Sequence, residues 1–322
     1  MRVSIGTFNL NNLFSRYNFE AEIDAVRESG TVESETLYRF GAEDIFKVRR
    51  YKGRLVKAKD PEGTRAIAER IQRMDVHVLA VQEVEDIDTL RQFNREHLND
   101  MYPHIVLVEG NDPRLIDVGV MSMFPIGGVT SWQRATSPDA PEELVFGRDL
   151  LEVDILNVKR SAKLFTLYNT HLKSNYVEFG TDPALGREAA NLRRARQAET
   201  MARIVKSRMR PDSRFIVAGD MNDAPNAVSL AAFARDAELR MVNALDRPQE
   251  TRTAKPDTPP PSGPAWTHRY KSSGAPAHYE LFDHIWLSPA LGTRSQGAWI
   301  DRRTTHAGDG SDHDPAWVEL DL

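Results

Sequence analysis

The chain has no cysteine at all. That absence excludes disulfide staples, thiolate catalysis and any zinc site built on cysteine sulfur. It suits a cytosolic and an exported protein equally, so it leaves the compartment open. Long apolar runs are also missing. None approaches the roughly 20 residues needed to cross a bilayer, so no transmembrane segment is expected. The first residues, "RVSIGTFNL", run straight into a strand pattern with no charged-then-apolar leader. A cytoplasmic protein is therefore expected over a secreted one. Nor is there an excess of positive charge: 42 basic residues stand against 47 acidic ones, for a net charge of -5. A module that grips nucleic acid only by its phosphates is usually basic. An enzyme that holds a cation on carboxylates need not be.

What is present is an ordinary globular composition, 40% hydrophobic and 28% charged over 322 residues. That length accommodates two average domains or one large α/β domain. Alternation in "RVSIGTFNL" predicts a strand with Val3, Ile5 and Thr7 on one face. A polar, basic insertion spans about 31–63 and includes "KVRRYKGRLVKAKDPEG". "TRAIAERIQRM" has Ile67, Ala68 and Ile71 at helical spacing, and "VHVLAVQEVED" follows as a strand ending in acids. The order then repeats. "NLRRARQAETMARIVKSRM" reads as a helix with Leu192, Met201, Ile204 and Val205 toward a core, and "RFIVAGDMND" as a buried strand ending in acids. Between them, "VGVMSMFPIGGV", "LLEVDILNV" and "KLFTLYNTHL" read as strands, the last two an antiparallel pair. A Pro-rich stretch at about 246–264 reads as a surface loop within a single domain spanning 1–322. Two mixed sheets packed together with helices outside is the expected architecture, and a monomer the expected state.

Polar residues collect where the predicted strands end: Asn9, Glu83, His171, Asp220, Asn222, Asp283, Asp312 and His313. Strand-end loops are where α/β proteins carry chemistry. Oxygen ligands without cysteine favour a hard cation, Mg²⁺ with Mn²⁺ or Ca²⁺ as alternatives. Glu83 with Asn9 or Asp312 would suffice for Mg²⁺. Histidine supplies acid–base or hydrogen-bonding capacity near neutrality, and Asp283 is placed to orient one. The histidines are too scattered for an HExxH zinc site. Each residue alone also has a plain structural explanation. Gly, Asp and Asn form turns, glutamate belongs to surfaces, and His313 after Asp312 can be a local loop contact. The shared position at strand ends is what favours chemistry.

The segments "TFNLNNLF", "LAVQEVED", "DVGVMSMFPI", "YNTHLKS", "VAGDMNDAP", "LFDHIWLS" and "GSDHDP", in that order, resemble the endonuclease/exonuclease/phosphatase superfamily, the DNase I-like fold, and its bacterial nuclease-like members in particular. The resemblance runs from about Thr7 to Leu320. It implies an α/β four-layer sandwich of two mixed β-sheets flanked by helices, and metal-dependent hydrolysis of a phosphoester by in-line attack of water. It further implies metal ligation by Asn9, Glu83 and Asp312, and catalytic roles for His171, Asp220, Asn222, Asp283 and His313. Asn222 and Arg148 match phosphate-facing positions. Lys173, just past His171, is close enough in sequence to reach a substrate phosphate.

The substrate stays open at this point, because one such site serves nucleases, phosphatases and sphingomyelinase-like phosphodiesterases. Nucleic acid is the favoured substrate, since a nuclease needs a basic groove and "VRRYKGRLVKAK" and "LRRARQ" offer cations. A lipid phosphodiesterase would need an apolar hairpin, and none is evident. A catalytically silent nucleic-acid-binding module is the remaining alternative, and the intact set of polar strand-end residues argues against it.

Overall fold

The structure, a computed structural model, describes residues 1–15, 58–177, 180–246, 265–270, 278–302 and 309–322, together with a short strand pair, Asn18–Phe19 with Leu55–Val56. Most of the basic insertion and nearly all of the Pro-rich loop lie outside the described residues.

Two six-stranded sheets face each other. The strands are β1 (Arg2–Leu13), β2 (Val78–Val84), β3 (His104–Leu107), β4 (Asp117–Ser122), β5 (Ile126–Ser131), β6 (Leu150–Leu156), β7 (Lys163–His171), β8 (Phe215–Asp220), β9 (Val242–Asn243), β10 (Asp283–Leu287), β11 (Ser295–Ile300) and β12 (Ala316–Asp321). The first sheet runs β11-β12-β1-β2-β4-β3 and the second β9-β10-β8-β7-β6-β5. Each is mixed: β1 is parallel to β2 and β7 to β8, while the other neighbours are antiparallel. A helix links each parallel pair. α1 (Pro61–Met74) joins β1 to β2, and α3 (Pro183–Arg208) joins β7 to β8. The repeated order in the sequence is therefore two β-α-β units, one per sheet, because parallel neighbours need a crossover.

Alternation along the strands sorts the residues into layers. Val3, Ile5, Val78, Ala80, Val118 and Val120 from one sheet meet Val153, Phe165, Leu167, Ile216, Ala218 and Ile285 from the other. The opposite face of the first sheet packs Leu79, Val81 and Trp317 under Ile67, Ile71 and Met74 of α1 and Leu90 and Phe93 of α2 (Ile87–His97). The outer face of the second packs Tyr168, Val217 and Trp286 under Ala198, Met201 and Val205 of α3. This gives four layers, as expected.

Three local expectations are corrected. α1 starts at Pro61, where Asp60 caps it by accepting from Gly63 N at 2.7 Å, so the insertion ends before 61. "VGVMSMFPIGGV" is two strands, β4 and β5, in different sheets. Leu192 is 65% exposed rather than core. It sits nine residues before Met201, about two and a half helical turns, which puts the two on opposite sides of α3.

Candidate active site

The inner face of the sandwich changes from apolar to polar along its strands. Val3 and Ile5 on β1 are followed at the same parity by Thr7 and Asn9. Phe165 and Leu167 on β7 are followed by Asn169 and His171, and Ile216 and Ala218 on β8 by Asp220. The first polar level is structural. Asn169 Nδ2 donates to Val81 O (2.9 Å) and Gly119 O (2.7 Å) of the opposite sheet, and accepts from Gln82 Nε2 at 2.8 Å. Gln82 in turn bonds Thr7. Buried polar groups must be paired, and here the pairing fastens the two sheets together just below the site.

Glu83 breaks the alternation. The register between β2 and β4 slips between Gln82 and Val84, and Glu83 has φ 60°. Such a bulge re-aims a side chain, and it turns Glu83 into the cleft. Its Oε2 accepts from Asn12 N at 3.0 Å, and Oε1 lies 4.0 Å from His171 Nε2. A second constraint lies at Gly219, whose φ is 134° and where any Cβ would stand 1.9 Å from Thr170 O. Only glycine allows β8 to run this close to β7 while delivering Asp220 to the strand end.

Asp220 is the centre of the cluster. Its Oδ2 accepts from Asn9 Nδ2 at 3.0 Å and lies 3.4 Å from His171 Nε2 and 3.7 Å from His313 Nε2. Its Oδ1 accepts from Asn222 N at 2.9 Å. His313 Nδ1 is 2.7 Å from Asp283 Oδ2, and Asp283 pairs directly with Asp220 across β8 and β10. Burial, then the positive charges of Arg148 and His313, hold His171 well below its ordinary range, so its imidazole is neutral. Burial also opposes the charge on His313, but the carboxylates of Asp283 and Asp220 outweigh it and keep that ring protonated. Burial, reinforced by Asp283, pushes the Asp220 carboxyl up against the pull of His313.

Glu83, His171, Asp220, Asn222 and His313 open onto a cleft of about 680 Å³, also lined by Asp312, Arg148, Arg114, His268 and Tyr176, while Asn9 and Asp283 are buried and reach it through Asp220 and His313. Desolvation works against ionisation of Asp312, yet the hydrogen bond from His268 and the charge of His313 hold its carboxyl well below the usual range. Arg148 is buried at the back of the cleft, with Nε 2.9 Å from Asp112 and Nη1 donating to Leu172 O at 3.1 Å. Asn222 lines the cleft while its Nδ2 donates to Leu172 O at 3.2 Å. Like Asn9 and Asp283, Lys173 does not line the cleft. Its Nζ donates to Ser174 O (3.0 Å) and Tyr176 O (3.1 Å), so its charge braces its own loop.

Two buried arginines support the arrangement: Arg70, which the sequence analysis passed over, and Arg194, which it offered to a nucleic-acid groove within "LRRARQ" but which is only 1% exposed. Arg70 of α1 donates to His313 O and to Asp314 Oδ1, behind the His313 ring. Arg194 of α3 holds Lys173 O, Asn175 Oδ1 and Asp223 Oδ2, so it clamps the loops after β7 and β8. Both were within reach of periodicity. Arg70 shares a helix face with Ile67, Ile71 and Met74, and Arg194 with Ala198 and Met201. His268 had no such signal. It reaches the site through a backbone bridge to His313, and its ring stacks on Phe282.

The family model for the endonuclease/exonuclease/phosphatase family matches residues 6–313. The chain belongs to that family. Its members are phosphoester hydrolases and generally use a divalent metal. Solved structures share the fold at low identity. An AP endonuclease from Archaeoglobus fulgidus is 15% identical over 99% of this chain and 100% of that one, with a TM-score of 0.59. A family protein from Bacteroides vulgatus is 13% identical over 100% and 99%, with a TM-score of 0.60. A mannosyl-6-phosphatase from Bacteroides thetaiotaomicron is 15% identical over 99% and 100%, with a TM-score of 0.55. No curated protein matches the chain. Among the described residues no helix is long and apolar enough to cross a membrane.

Proposed function

We propose that this member of the family is a metal-dependent phosphodiesterase that hydrolyses nucleic acid by in-line attack of water. The observation that carries this reading is the convergence of Asn9, His171 and His313 on Asp220 Oδ2, with Glu83 turned into the same cleft by its bulge.

The donor set fits a hard cation. Glu83 has one oxygen fixed by Asn12 and the other toward the cleft, and Asp312 is held ionised at the cleft wall. Asn9 Oδ1 already accepts from Asn11 N at 2.9 Å and retains a second lone pair. These three residues would hold Mg²⁺, or Mn²⁺ in its place. A bound cation there supplies charge neutralisation at the phosphoryl oxygens and the leaving group.

The protein's own residues do the rest. Asp220, its pKa raised by burial, aligns the attacking water and takes its proton. Protonated His313, oriented by Asp283, donates from Nε2 to a non-bridging oxygen as negative charge grows there. Neutral His171 donates to a second. Asn222 and the buried Arg148 guanidinium hold the phosphate in line. Arg114, Arg148 and Arg187 border the cleft, which suits a polyanion and accords with the fold shared with an AP endonuclease.

The test is a substrate panel: plasmid DNA, single-stranded DNA, RNA and a sugar phosphate, each with Mg²⁺, Mn²⁺ or EDTA. Cleavage of nucleic acid that stops in EDTA and falls sharply in Asp220→Asn is expected. Turnover that survives EDTA removes the metal from the reading. Turnover of the sugar phosphate alone removes the nuclease.

A further inference from the structure

The loop that follows His171 is held by a series of hydrogen bonds at Lys173, Ser174, Asn175 and Tyr176. Lys173 N donates to Gln197 Oε1 at 2.9 Å, and Arg194 Nη1 donates to Lys173 O at 2.6 Å. Arg194 Nη2 donates to Asn175 Oδ1 at 2.9 Å, while Asn175 Nδ2 donates to Asn222 O at 3.1 Å. Lys173 Nζ closes the loop on the carbonyls of Ser174 and Tyr176. Beyond it, Val177 packs against Gly186 of α3 so closely that a Cβ at 186 would stand 2.2 Å from Val177 Cγ1. The loop is therefore locked to the helix.

This braced loop ends in an aromatic side chain that is 66% exposed. Tyr176 lines the cleft, with Arg187 along the same wall. Tyr279, on the hairpin His268–Tyr270/His278–Glu280 across the cleft, is also exposed but rests on Trp266 at a ring distance of 4.8 Å. No described ring packs on Tyr176. A large ring in water costs free energy, and a flexible loop would fold it away. Here the backbone bonds to Lys173 prevent that.

We infer that Tyr176 is a stacking platform for the nucleobase next to the scissile phosphate, with Arg187 beside it for the neighbouring phosphate. Rigid aromatic faces beside cations are how proteins hold single-stranded nucleic acid without reading its sequence. A preorganised ring also avoids the ordering cost of binding. The hydrogen bond from Asn175 to Asn222 O connects the platform to the residue assigned to the phosphate. A base seated on Tyr176 thus fixes the register of the backbone over Asp220. This inference rests on the nuclease reading above and narrows it to substrates with an unpaired base beside the cleaved bond.

The experiment measures kcat/KM for wild type, Tyr176→Phe and Tyr176→Ala on two single-stranded oligodeoxynucleotides. One carries bases throughout, and the other carries abasic tetrahydrofuran residues around the cleaved bond. Binding of both is also measured by fluorescence anisotropy in EDTA. Wild type and Tyr176→Phe are expected to prefer the base-bearing strand, in rate and in affinity. Tyr176→Ala is expected to lose that preference, roughly five- to hundred-fold. A preference kept in Tyr176→Ala, or lost equally in Tyr176→Phe, overturns the stacking role while leaving the nuclease reading intact. Wild type that neither binds nor cleaves either strand, yet hydrolyses a sugar phosphate, overturns both.

Discussion

Asn9 Nδ2 donates to Asp220 Oδ2 across 3.0 Å, joining the first strand of one sheet to a central strand of the other, 211 positions apart in sequence. On the function proposed above, the bond gives Asn9 a second task beside offering an oxygen to a cation, that of fixing which face of the carboxylate meets water. Asn9→Ala should lower kcat by roughly 10- to 100-fold with a smaller effect on KM, as losses of orienting partners do. Steady-state kinetics at saturating Mg²⁺ checks it. A wild-type kcat would show that Asp220 needs no such partner.

Asp283 touches His313 at 2.7 Å, and its other oxygen, Oδ1, has no hydrogen-bond partner among the described residues. Asp283→Ala removes both the orientation of the ring and the charge that keeps it protonated. Turnover should fall by roughly 100-fold or more, with circular dichroism unchanged. A loss under threefold would release Asp283 from this role.

Gly219 is the backbone constraint under the site. Gly219→Ala places a methyl group 1.9 Å from Thr170 O at φ 134°, so β7 and β8 must part. A destabilisation of at least roughly 2 kcal/mol is expected from strain and overpacking together. Urea unfolding of the metal-free protein measures it, and an unchanged midpoint would contradict the close approach.

His284 lies beside Asp283 but on the opposite face of β10. Its Nδ1 accepts from Trp286 Nε1 at 3.1 Å and its Nε2 donates to Leu281 O at 2.9 Å. Burial is the main cause that lowers its pKa to about 4, against about 6.5 when unfolded. The folded state therefore binds the proton less readily than the unfolded chain. The contribution is complete above pH about 6.5 and is lost as pH falls to about 4. Up to about 3 kcal/mol is at stake over that window. His284→Gln, which keeps an acceptor for Trp286, should flatten stability between those pH values. An unchanged slope in urea melts at several pH values would refute it.

Metal binding can be read without turnover. Mn²⁺ or Mg²⁺ at 100 times its dissociation constant should stabilise the fold by about 2.7 kcal/mol, seen as a rise in Tm that EDTA reverses. Glu83→Ala should abolish most of that rise. A shift that persists in the variant would move the cation away from the bulge.

Much of this was legible along the chain because strands announce themselves by alternation, and here the alternating runs end in acids, amides and histidines. That pattern picked out Asn9, His171 and Asp220, and it exposed the repeated helix-strand order that became two β-α-β units; Asp283 instead opens its strand. The failures have equally physical causes. Leu192 was misplaced because two and a half turns separate it from Met201. Lys173 was expected at a phosphate, but two nearby carbonyls capture its ammonium first. "VGVMSMFPIGGV" marks a break at Pro125 and Gly127-Gly128, but no local signal says that the second half joins the other sheet. His268 enters through a bridge to His313, far along the chain, which no local spacing records.

The sequence by itself determined which side chains stand at strand ends and what chemistry those types allow, because local geometry fixes alternation and turn position. Only the tertiary structure decided that Glu83 turns inward, that Asp220 gathers three partners, and that Tyr176 is held out in solvent. Those outcomes depend on a bulge, a close strand approach and long-range hydrogen bonds, all set by packing between segments far apart in the chain.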